Sequence, residues 1–251
     1  MYKLLCLVLM GLLSGTPRAL CQELAGAQNL IARTRAEQIL TRARQAKGIA
    51  DRVRAFTIIS QTADMIDGRL WQIKMTRHFT TSFQMRTDSL YPESGKRRNT
   101  GLSGEQGWIE EDGQVTLDNS TAIERKKRIV TTEWWVDFLR VLPGQDSEFL
   151  ALEDVTLKNQ PHEVLAATIG EVKLILYFAK TTHLLTKVES EFALAERSYH
   201  FEEWYSDYRW VQGVRLAHRI STYVDGRMQA QTFVRRYLLN RPLKAARYAS
   251  P

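Results

Sequence analysis

Apolar and polar residues alternate along several segments of the chain, and this period of two is the pattern of strands buried on one face. Near the C-terminus, Val214, Leu216 and Ile220 alternate with polar residues. The Asp225-Gly226 pair that follows favours a two-residue turn, because both residues tolerate a positive φ. A second apolar run then leads back, and no helix-length segment separates the two. We therefore predict antiparallel strands between residues 199 and 243.

The same alternation predicts strands in the first half of the chain. A strand from Ala55 to Ile66 is followed by an Asp67-Gly68 turn and by a strand whose alternation continues to Phe79. A third strand begins shortly after it. Asp112-Gly113 lies between two further apolar segments and predicts another hairpin, whereas the Gly-, Ser- and Arg-rich segment 92–107 is expected to be a loop.

Four strand candidates follow in the second half, at residues 149–157, 164–169, 172–178 and 184–192. The third of them is apolar on almost both faces, so it is covered on both sides or lines an enclosed apolar space. The order of strands and helices predicts an α+β fold. Its sheet is expected to be a single antiparallel one of nine to eleven strongly curved strands.

Two segments have the period of an α-helix instead. Good helix formers dominate from Glu23 to about Lys47, and Gly48 is expected to end that helix. Residues 121–142 repeat apolar side chains at spacings of three, four and seven. We predict a capping box of Thr121 and Glu124 at its start. The apolar stripe of the first helix is Leu30, Ile31, Ile39, Leu40 and Ala43, and the broad apolar face of the second includes Trp134, Trp135, Phe138 and Leu139.

The first 21 residues are typical of a secretory signal peptide. The apolar run from Leu4 to Leu13 is too short to span a bilayer, and Ala19 and Cys21 place small residues before an expected cleavage site. We predict that the mature chain begins at Gln22, is exported to the periplasm and forms a single domain over residues 22–251. A short membrane anchor that is never cleaved is the alternative.

Cys21 raises a second alternative, an outer-membrane lipoprotein with lipid attached to this cysteine. Such a signal needs a small residue directly before the cysteine and an aliphatic one three before it, whereas Leu20 and Arg18 stand there. Without Cys6 and Cys21 the mature chain has no cysteine, which excludes disulfides and thiolate metal sites. The net charge of +7 slightly favours anionic surfaces such as phospholipid head groups, and nucleic acid as a partner conflicts with export.

No arrangement of residues in the sequence points to catalysis. The five histidines have no ligand spacing with cysteines or with each other, and no Gly-x-Ser-x-Gly elbow occurs. Glu202, Glu203 and Asp207 are close in sequence, but carboxylates in a surface strand and turn are more often solvated than catalytic. We therefore expect neither an enzyme nor a metal or cofactor site.

The C-terminal third resembles the LolA-like family of periplasmic outer-membrane lipoprotein-sorting proteins, which are related to other bacterial lipid-binding half-barrels. This resemblance rests on the segments Tyr205–Arg209, Gly213–Leu216, His218–Ile220, Asp225-Gly226 and Leu239–Leu243. It implies a half-open antiparallel barrel whose concave side is closed by helices, with residues 121–142 as a lid helix. It also implies a carrier or chaperone that transports the acyl chains of lipoproteins or other lipids. Such a carrier would touch membrane surfaces transiently and meet an envelope protein partner.

Binding of an acyl chain requires a concave, water-free apolar surface, because each buried methylene contributes ~0.8 kcal/mol. The second helix and the doubly apolar strand could build that surface or an ordinary core, and the resemblance favours the cavity. Arg86 is the arginine nearest to one often found in the third strand of relatives. The predicted ligand-binding residues are Trp134, Trp135, Phe138, Leu139, Leu174, Leu176, Phe178, Leu216, Ile220 and Arg86.

The sequence departs from the family in one respect. LolA-like carriers often have an Arg-Pro pair after the second strand, and residues 78–81 lack it. The class of cargo therefore stays open between lipoprotein acyl chains, free lipid and another amphiphile. A non-carrier envelope sensor, or a protein-binding module on the same fold, is the alternative function.

Overall fold

The computed structural model describes residues 17–48, 50–66, 69–194, 197–241, 243–244 and 247–249. The apolar run of the expected signal peptide and the expected Asp67-Gly68 turn lie outside these residues. Cys21 and Gln22, which flank the expected cleavage site, lie in the first turns of a helix that begins at Pro17. No helix within the described ranges is long and apolar enough to cross a membrane.

Two α-helices and fourteen strands make up the described part of the chain. They are α1 (Pro17–Lys47), β1 (Ala55–Ile66), β2 (Arg69–Thr80), β3 (Gln84–Leu90), β4 (Arg97–Ser103), β5 (Gln106–Glu111), β6 (Gln114–Leu117), α2 (Ser120–Phe138), β7 (Ser147–Ala151), β8 (Val155–Leu157), β9 (Gln160–Ile169), β10 (Val172–Ala179), β11 (Leu185–Leu194), β12 (Arg197–Val211), β13 (Val214–Val224) and β14 (Arg227–Leu239). A short 3-10 helix, Ala50–Arg52, joins α1 to β1.

All strands belong to one open antiparallel sheet, which confirms the predicted half-barrel class. Its order is β6-β5-β4-β3-β2-β1-β14-β13-β12-β11-β10-β9-β7, with β8 also paired to β9. The first and last strands of the chain therefore pair with each other in the middle of the sheet. The two end strands of the order, β6 and β7, are consecutive along the chain, and helix α2 connects one to the other.

Two-residue turns set the register of the hairpins, as predicted. Asp225 and Gly226 have φ of 48° and 74°, and Asp112 and Gly113 have 50° and 81°. Positive φ at both central positions is the geometry that matches the twist of paired strands. The pairs that flank these turns, Val224 with Arg227 and Glu111 with Gln114, are in register.

The helices cover one face of the sheet, here called the inner face, and two hydrophobic clusters fill the space between. The first cluster joins α1, α2 and strands β9 to β13, and the second joins α2 to strands β1 to β4, β13 and β14. Helix α2 contacts both clusters, because Val130, Trp134 and Phe138 point to the second cluster while Trp135 points to the first. The spacing of four from Val130 to Phe138 places those three residues on one helix face.

Several predicted strand boundaries were wrong. The expected loop 92–107 contains β4, and residues 149–157 form β7 and β8 rather than one strand, so the sheet has more strands than the nine to eleven predicted. The β4 sequence Arg-Arg-Asn-Thr-Gly has little apolar alternation. Its backbone is satisfied by pairing with β3 on one side and β5 on the other, and this tertiary context overrides weak local propensity.

The predictions for the helices need three corrections. The cap of α2 is Asn119, whose side chain accepts a hydrogen bond from the Ala122 amide, rather than a capping box at Thr121. The helix ends at Phe138, because Leu139 adopts a left-handed conformation with φ of 51°. Leu30 and Ile31 of α1 are 66% and 68% exposed and take no part in the buried stripe, which begins at Ala36.

Candidate functional site

A groove runs between helix α2 and the inner face of the sheet, beside the first cluster, and has a volume of about 370 Å³. Ile129 of α2, which is 40% exposed, forms one side of it. Val172 and Leu174 of β10 and Phe201 of β12 contribute further apolar side chains. Ligand sites typically have volumes of about 300–1,000 Å³ with a mostly apolar lining, so the groove can hold part of a small amphiphile.

A smaller inner chamber of about 100 Å³ lies beside the groove, and Thr132, Glu133 and Glu203 border both spaces. Charged and hydroxyl side chains line the chamber together with apolar ones, among them Met75 and Val136. Besides the shared residues, its lining includes Arg77, Asp137, Tyr205, Ile220, Thr222 and Thr232.

An ion pair within the chamber ties α2 to the sheet. Arg77 of β2 donates through Nη1 to Oε1 of Glu133 on α2. The two side chains are only 18% and 21% exposed, so solvent screens the pair weakly. The Nε atom of Arg77 is buried and has no hydrogen-bond partner among the described residues. A buried donor without an acceptor costs about 1–3 kcal/mol, so the chamber offers an unused donor.

The remaining carboxyl groups of the chamber are partly withdrawn from solvent. Burial raises the pKa of Glu203, whose Oε2 accepts a 2.5 Å hydrogen bond from the Tyr205 hydroxyl. Burial also raises the pKa of Asp137 to about 7. Lys47 of α1 donates to the backbone oxygen of Asp137 at 2.6 Å, and burial lowers the pKa of Lys47 to about 8. The carboxyl groups of Glu133, Glu203 and Asp137 therefore lie near two cationic side chains, those of Arg77 and Lys47.

The outer part of the groove carries charges of both signs. Arg125 and Arg128 of α2 and Lys173 of β10 lie opposite Glu171 and Glu191. Arg128 donates to Glu171 at 2.6 Å, and both side chains are more than half exposed, so this pair contributes little to stability. The mixed charge gives the outer rim no strong preference for an anion.

The structure brings together only some of the residues predicted to bind ligand. Leu174 lines the groove and Ile220 lines the chamber. The others are packed in the clusters: Trp135, Leu139, Leu176 and Phe178 in the first, and Trp134, Phe138 and Leu216 in the second, each at most 2% exposed. Their role in binding a ligand remains a prediction.

Arg86 lies away from the groove. Its neighbour Met85 is in the second cluster, so Arg86 points to the opposite face of β3. There its Nε donates to Asp88 at 2.7 Å and its Nη1 to the backbone oxygen of Arg247 at 2.9 Å, and the guanidinium lies 5.5 Å from the Trp108 ring centre. Arg86 thus holds the C-terminal segment against the sheet.

Sequence reasoning missed the polar residues of the chamber. Arg77 interrupts the apolar positions of β2 between Met75 and Phe79, and that interruption is the signal that could have identified it. Glu203 was grouped with solvated carboxylates, but alternation along β12 separates the group. Glu203 faces the chamber, whereas Glu202 pairs with Lys187 at 2.8 Å on the outer face.

One group of residues on the outer face has the composition of a cation site. Oxygen or nitrogen atoms of Glu189, His200 and Glu202 lie within 4.8 Å of one another. The ammonium of Lys187 already occupies a position between the two carboxylates, at 2.5 Å from Glu189 and 2.8 Å from Glu202. This lysine supplies the positive charge that a metal would otherwise provide.

Solved structures with the same arrangement of strands and helices are known. A LolA superfamily protein from Nitrosomonas europaea superposes with a TM-score of 0.56 at 13% identity, covering 86% of this chain and 97% of its own. This chain shares the fold of that protein. A Vibrio parahaemolyticus domain described as an outer membrane lipoprotein-sorting protein gives 0.56 at 9% identity, covering 86% and 96%.

A DUF1329 family protein from Desulfovibrio piger also has this LolA-like fold, with a TM-score of 0.56 at 9% identity over 87% of this chain and 97% of its own. No protein-family model matches the sequence, and no curated protein matches it. At identities this low the likeness concerns the fold. What the groove and chamber bind must be argued from their own residues.

Proposed function

We propose that this chain is a periplasmic carrier that binds the acyl chain of an amphiphile, such as a lipoprotein or a free lipid, and moves it towards the outer membrane. The observation that carries the proposal is the apolar groove between α2 and the inner face of a LolA-like sheet. Ile129, Val172, Leu174 and Phe201 provide a surface that an acyl chain can cover without unfolding the protein.

The energy available from this groove fits a reversible carrier. Burial of about ten methylenes yields ~8 kcal/mol before the costs of association, which corresponds to a dissociation constant of about 1 μM. The loss of translational freedom and the immobilisation of the acyl chain reduce the net binding free energy, so the dissociation constant becomes larger than this. A carrier must release its cargo, so moderate affinity serves it better than the tightest binding.

The proposed compartment follows from the N-terminal sequence. Release from the membrane after export requires removal of the apolar run, so we propose cleavage between Cys21 and Gln22. N-terminal sequencing of protein from the cell envelope tests this, with Gln22 as the expected first residue. A retained Met1 or a diacylated Cys21 would contradict it.

A matched pair of variants tests the groove itself. Ile129→Asp places a carboxylate against the apolar wall, whereas Leu117→Asp makes the same change at an edge-strand residue that is 71% exposed and outside the groove. We expect the first variant to lose at least tenfold in affinity for a fluorescent fatty-acyl probe, and the second to bind like the wild type. Mass spectrometry of organic extracts from the wild type should show a bound amphiphile.

The competing function is an envelope sensor or protein-binding module. The observation in its favour is that the two clusters already fill much of the space under the helices, so the groove is open rather than enclosed. If no lipid is extracted, no probe binds to the folded wild type, and a single envelope protein is retained on the immobilised chain, this function replaces the carrier.

A further inference from the structure

The inner chamber has hydrogen-bonding groups that an acyl chain cannot satisfy. The buried Nε of Arg77 has no acceptor within the described residues. The hydroxyl of Thr222 and the carboxyls of Glu133 and Glu203 line the same space. A terminal methyl group placed here could form no hydrogen bond with these groups and would leave the Arg77 Nε without a partner, at a cost of the order of one lost hydrogen bond.

The charges of the chamber also disfavour an anionic head group. Glu133, Asp137 and Glu203 border it, and the positive charges facing them are those of Arg77 and of Lys47. Arg77 is already paired with Glu133. A ligand carboxylate or phosphate would add a further negative charge to a space where carboxyls outnumber cations, and little solvent is present to screen the repulsion.

An uncharged polar head group meets both conditions. An ester or hydroxyl oxygen can accept from the Arg77 guanidinium, and a hydroxyl hydrogen can be donated to Glu203 or Glu133. The chamber volume of about 100 Å³ is several times the ~10–15 Å³ needed to hold one water molecule, so it has room for a small head group. Because the chamber and the groove adjoin at Thr132, Glu133 and Glu203, the attached acyl chain would lie along the apolar wall.

We propose that the inner chamber is a head-group subsite for neutral, hydroxyl-bearing amphiphiles such as monoacylglycerols, which enter the groove head first. This inference rests on the proposed binding function and adds the ligand class to it. In this arrangement Arg77 and Glu203 select the head group, and the residues of the groove wall bind the chain without selecting it.

Three probes with the same twelve-carbon chain separate head-group selection from chain binding. Monododecanoyl glycerol, dodecanoate and dodecylammonium are titrated below their micellar concentrations at pH 7.5, by displacement of a fluorescent acyl probe. We expect the glycerol ester to bind at least tenfold more tightly than dodecanoate, equivalent to about 1.4 kcal/mol. Equal affinity for the three, or preference for either charged probe, would overturn the subsite.

Two matched variants locate the selection. Glu203→Gln replaces an ionisable carboxyl of the chamber by a neutral amide and keeps an oxygen that can accept from the Tyr205 hydroxyl, so the preference for the glycerol ester over dodecanoate should fall to about threefold or less. Glu191→Gln makes the same change in the outer groove, and the preference should persist. An unchanged preference in the first variant, or equal loss in both, would place selection elsewhere and overturn the inference.

Head-group selection can still be tested if the Glu203→Gln variant fails to fold. Thermal unfolding is measured for each protein first, and Thr222→Val, which removes a chamber hydroxyl without a charge change, replaces Glu203→Gln if needed. Thr222→Val should weaken binding of the glycerol ester by about threefold to tenfold and leave the affinity for dodecanoate unchanged. If the folded wild type binds no probe at all, the proposed carrier function fails. If it binds all three alike, only the head-group subsite fails.

Discussion

Trp134→Asp is the substitution that decides whether helix α2 is a removable lid or part of the core. Trp134 is fully buried in the second cluster, and its ring lies 4.9 Å from that of Phe56 and 5.2 Å from that of Phe138. Its Nε1 donates to the backbone oxygen of Thr80 at 3.0 Å. The side chain thus joins α2 to β1 and β2.

The cost of this change can be worked from those contacts. Truncation of a buried Trp typically costs about 3–5 kcal/mol. Loss of the indole donor leaves the Thr80 oxygen without its partner, which adds about 1–3 kcal/mol. An unpaired carboxylate in the cluster costs more again unless it is protonated. Since domains of this kind are stable by about 5–15 kcal/mol, we expect Trp134→Asp to unfold much or all of the protein at 25 °C.

Thermal unfolding by circular dichroism and binding of the fatty-acyl probe are measured on the same preparation. For Trp134→Asp both signals should be lost together. Ile129 lies five residues earlier on the same helix but is 40% exposed. The Ile129→Asp protein should therefore unfold within a few degrees of the wild-type transition and lose only the binding of the probe. A Trp134→Asp protein that remains folded and loses only the probe would refute the view that these aromatic residues are core.

Other predictions concern stability. Gly101→Val should destabilise the protein by about 1–3 kcal/mol in chemical denaturation, because an added Cβ would lie 2.3 Å from the buried Trp108 indole. An added Cβ at Gly226 meets no atom within 4 Å, so Gly226→Val should cost about 1–2 kcal/mol through its φ of 74°. A much larger loss at Gly226 than at Gly101 would contradict this. Burial raises the pKa of Asp137 from 3.8 to about 7, so the folded state holds this proton more tightly than the unfolded state. The resulting stability is present below pH ~4 and is lost as the pH rises to about 7. Chemical denaturation at pH 5 and pH 8 measures the fall in the free energy of unfolding between these two pH values. This fall should be smaller in Asp137→Asn than in the wild type, and an identical fall in both proteins would contradict the assignment.

Local patterns predicted the sheet well where its hairpins are closed by short turns. Asp112-Gly113 and Asp225-Gly226 have the expected positive φ, and β1 has the predicted limits of Ala55 and Ile66. These features depend on residues adjacent in sequence. The same patterns do not specify β4, because its place in the sheet is decided by the neighbours β3 and β5 rather than by its own side chains.

The site was harder to predict, because its residues come together only in the folded sheet. Arg77, Glu133 and Glu203 lie on β2, α2 and β12, and nothing in their separations along the chain indicates that they share a chamber. Apolar character alone also could not separate the groove from the core. Leu174 and Leu176 are the same residue type and lie on the same face of β10, yet only Leu174 lines the groove.

The pairing of β1 with β14 in the middle of the sheet has a consequence for how the protein is made. These strands join residues near the two ends of the chain, for example Phe56 with Leu239, so the sheet cannot close at its centre until the last strand has been synthesised. Contacts of such long sequence separation form slowly, because the entropy of closing the loop is lost before the pairing is gained. The proposed export of an unfolded chain would benefit from this delay. The topology itself keeps the polypeptide from completing its native sheet until its C-terminal strand has left the ribosome.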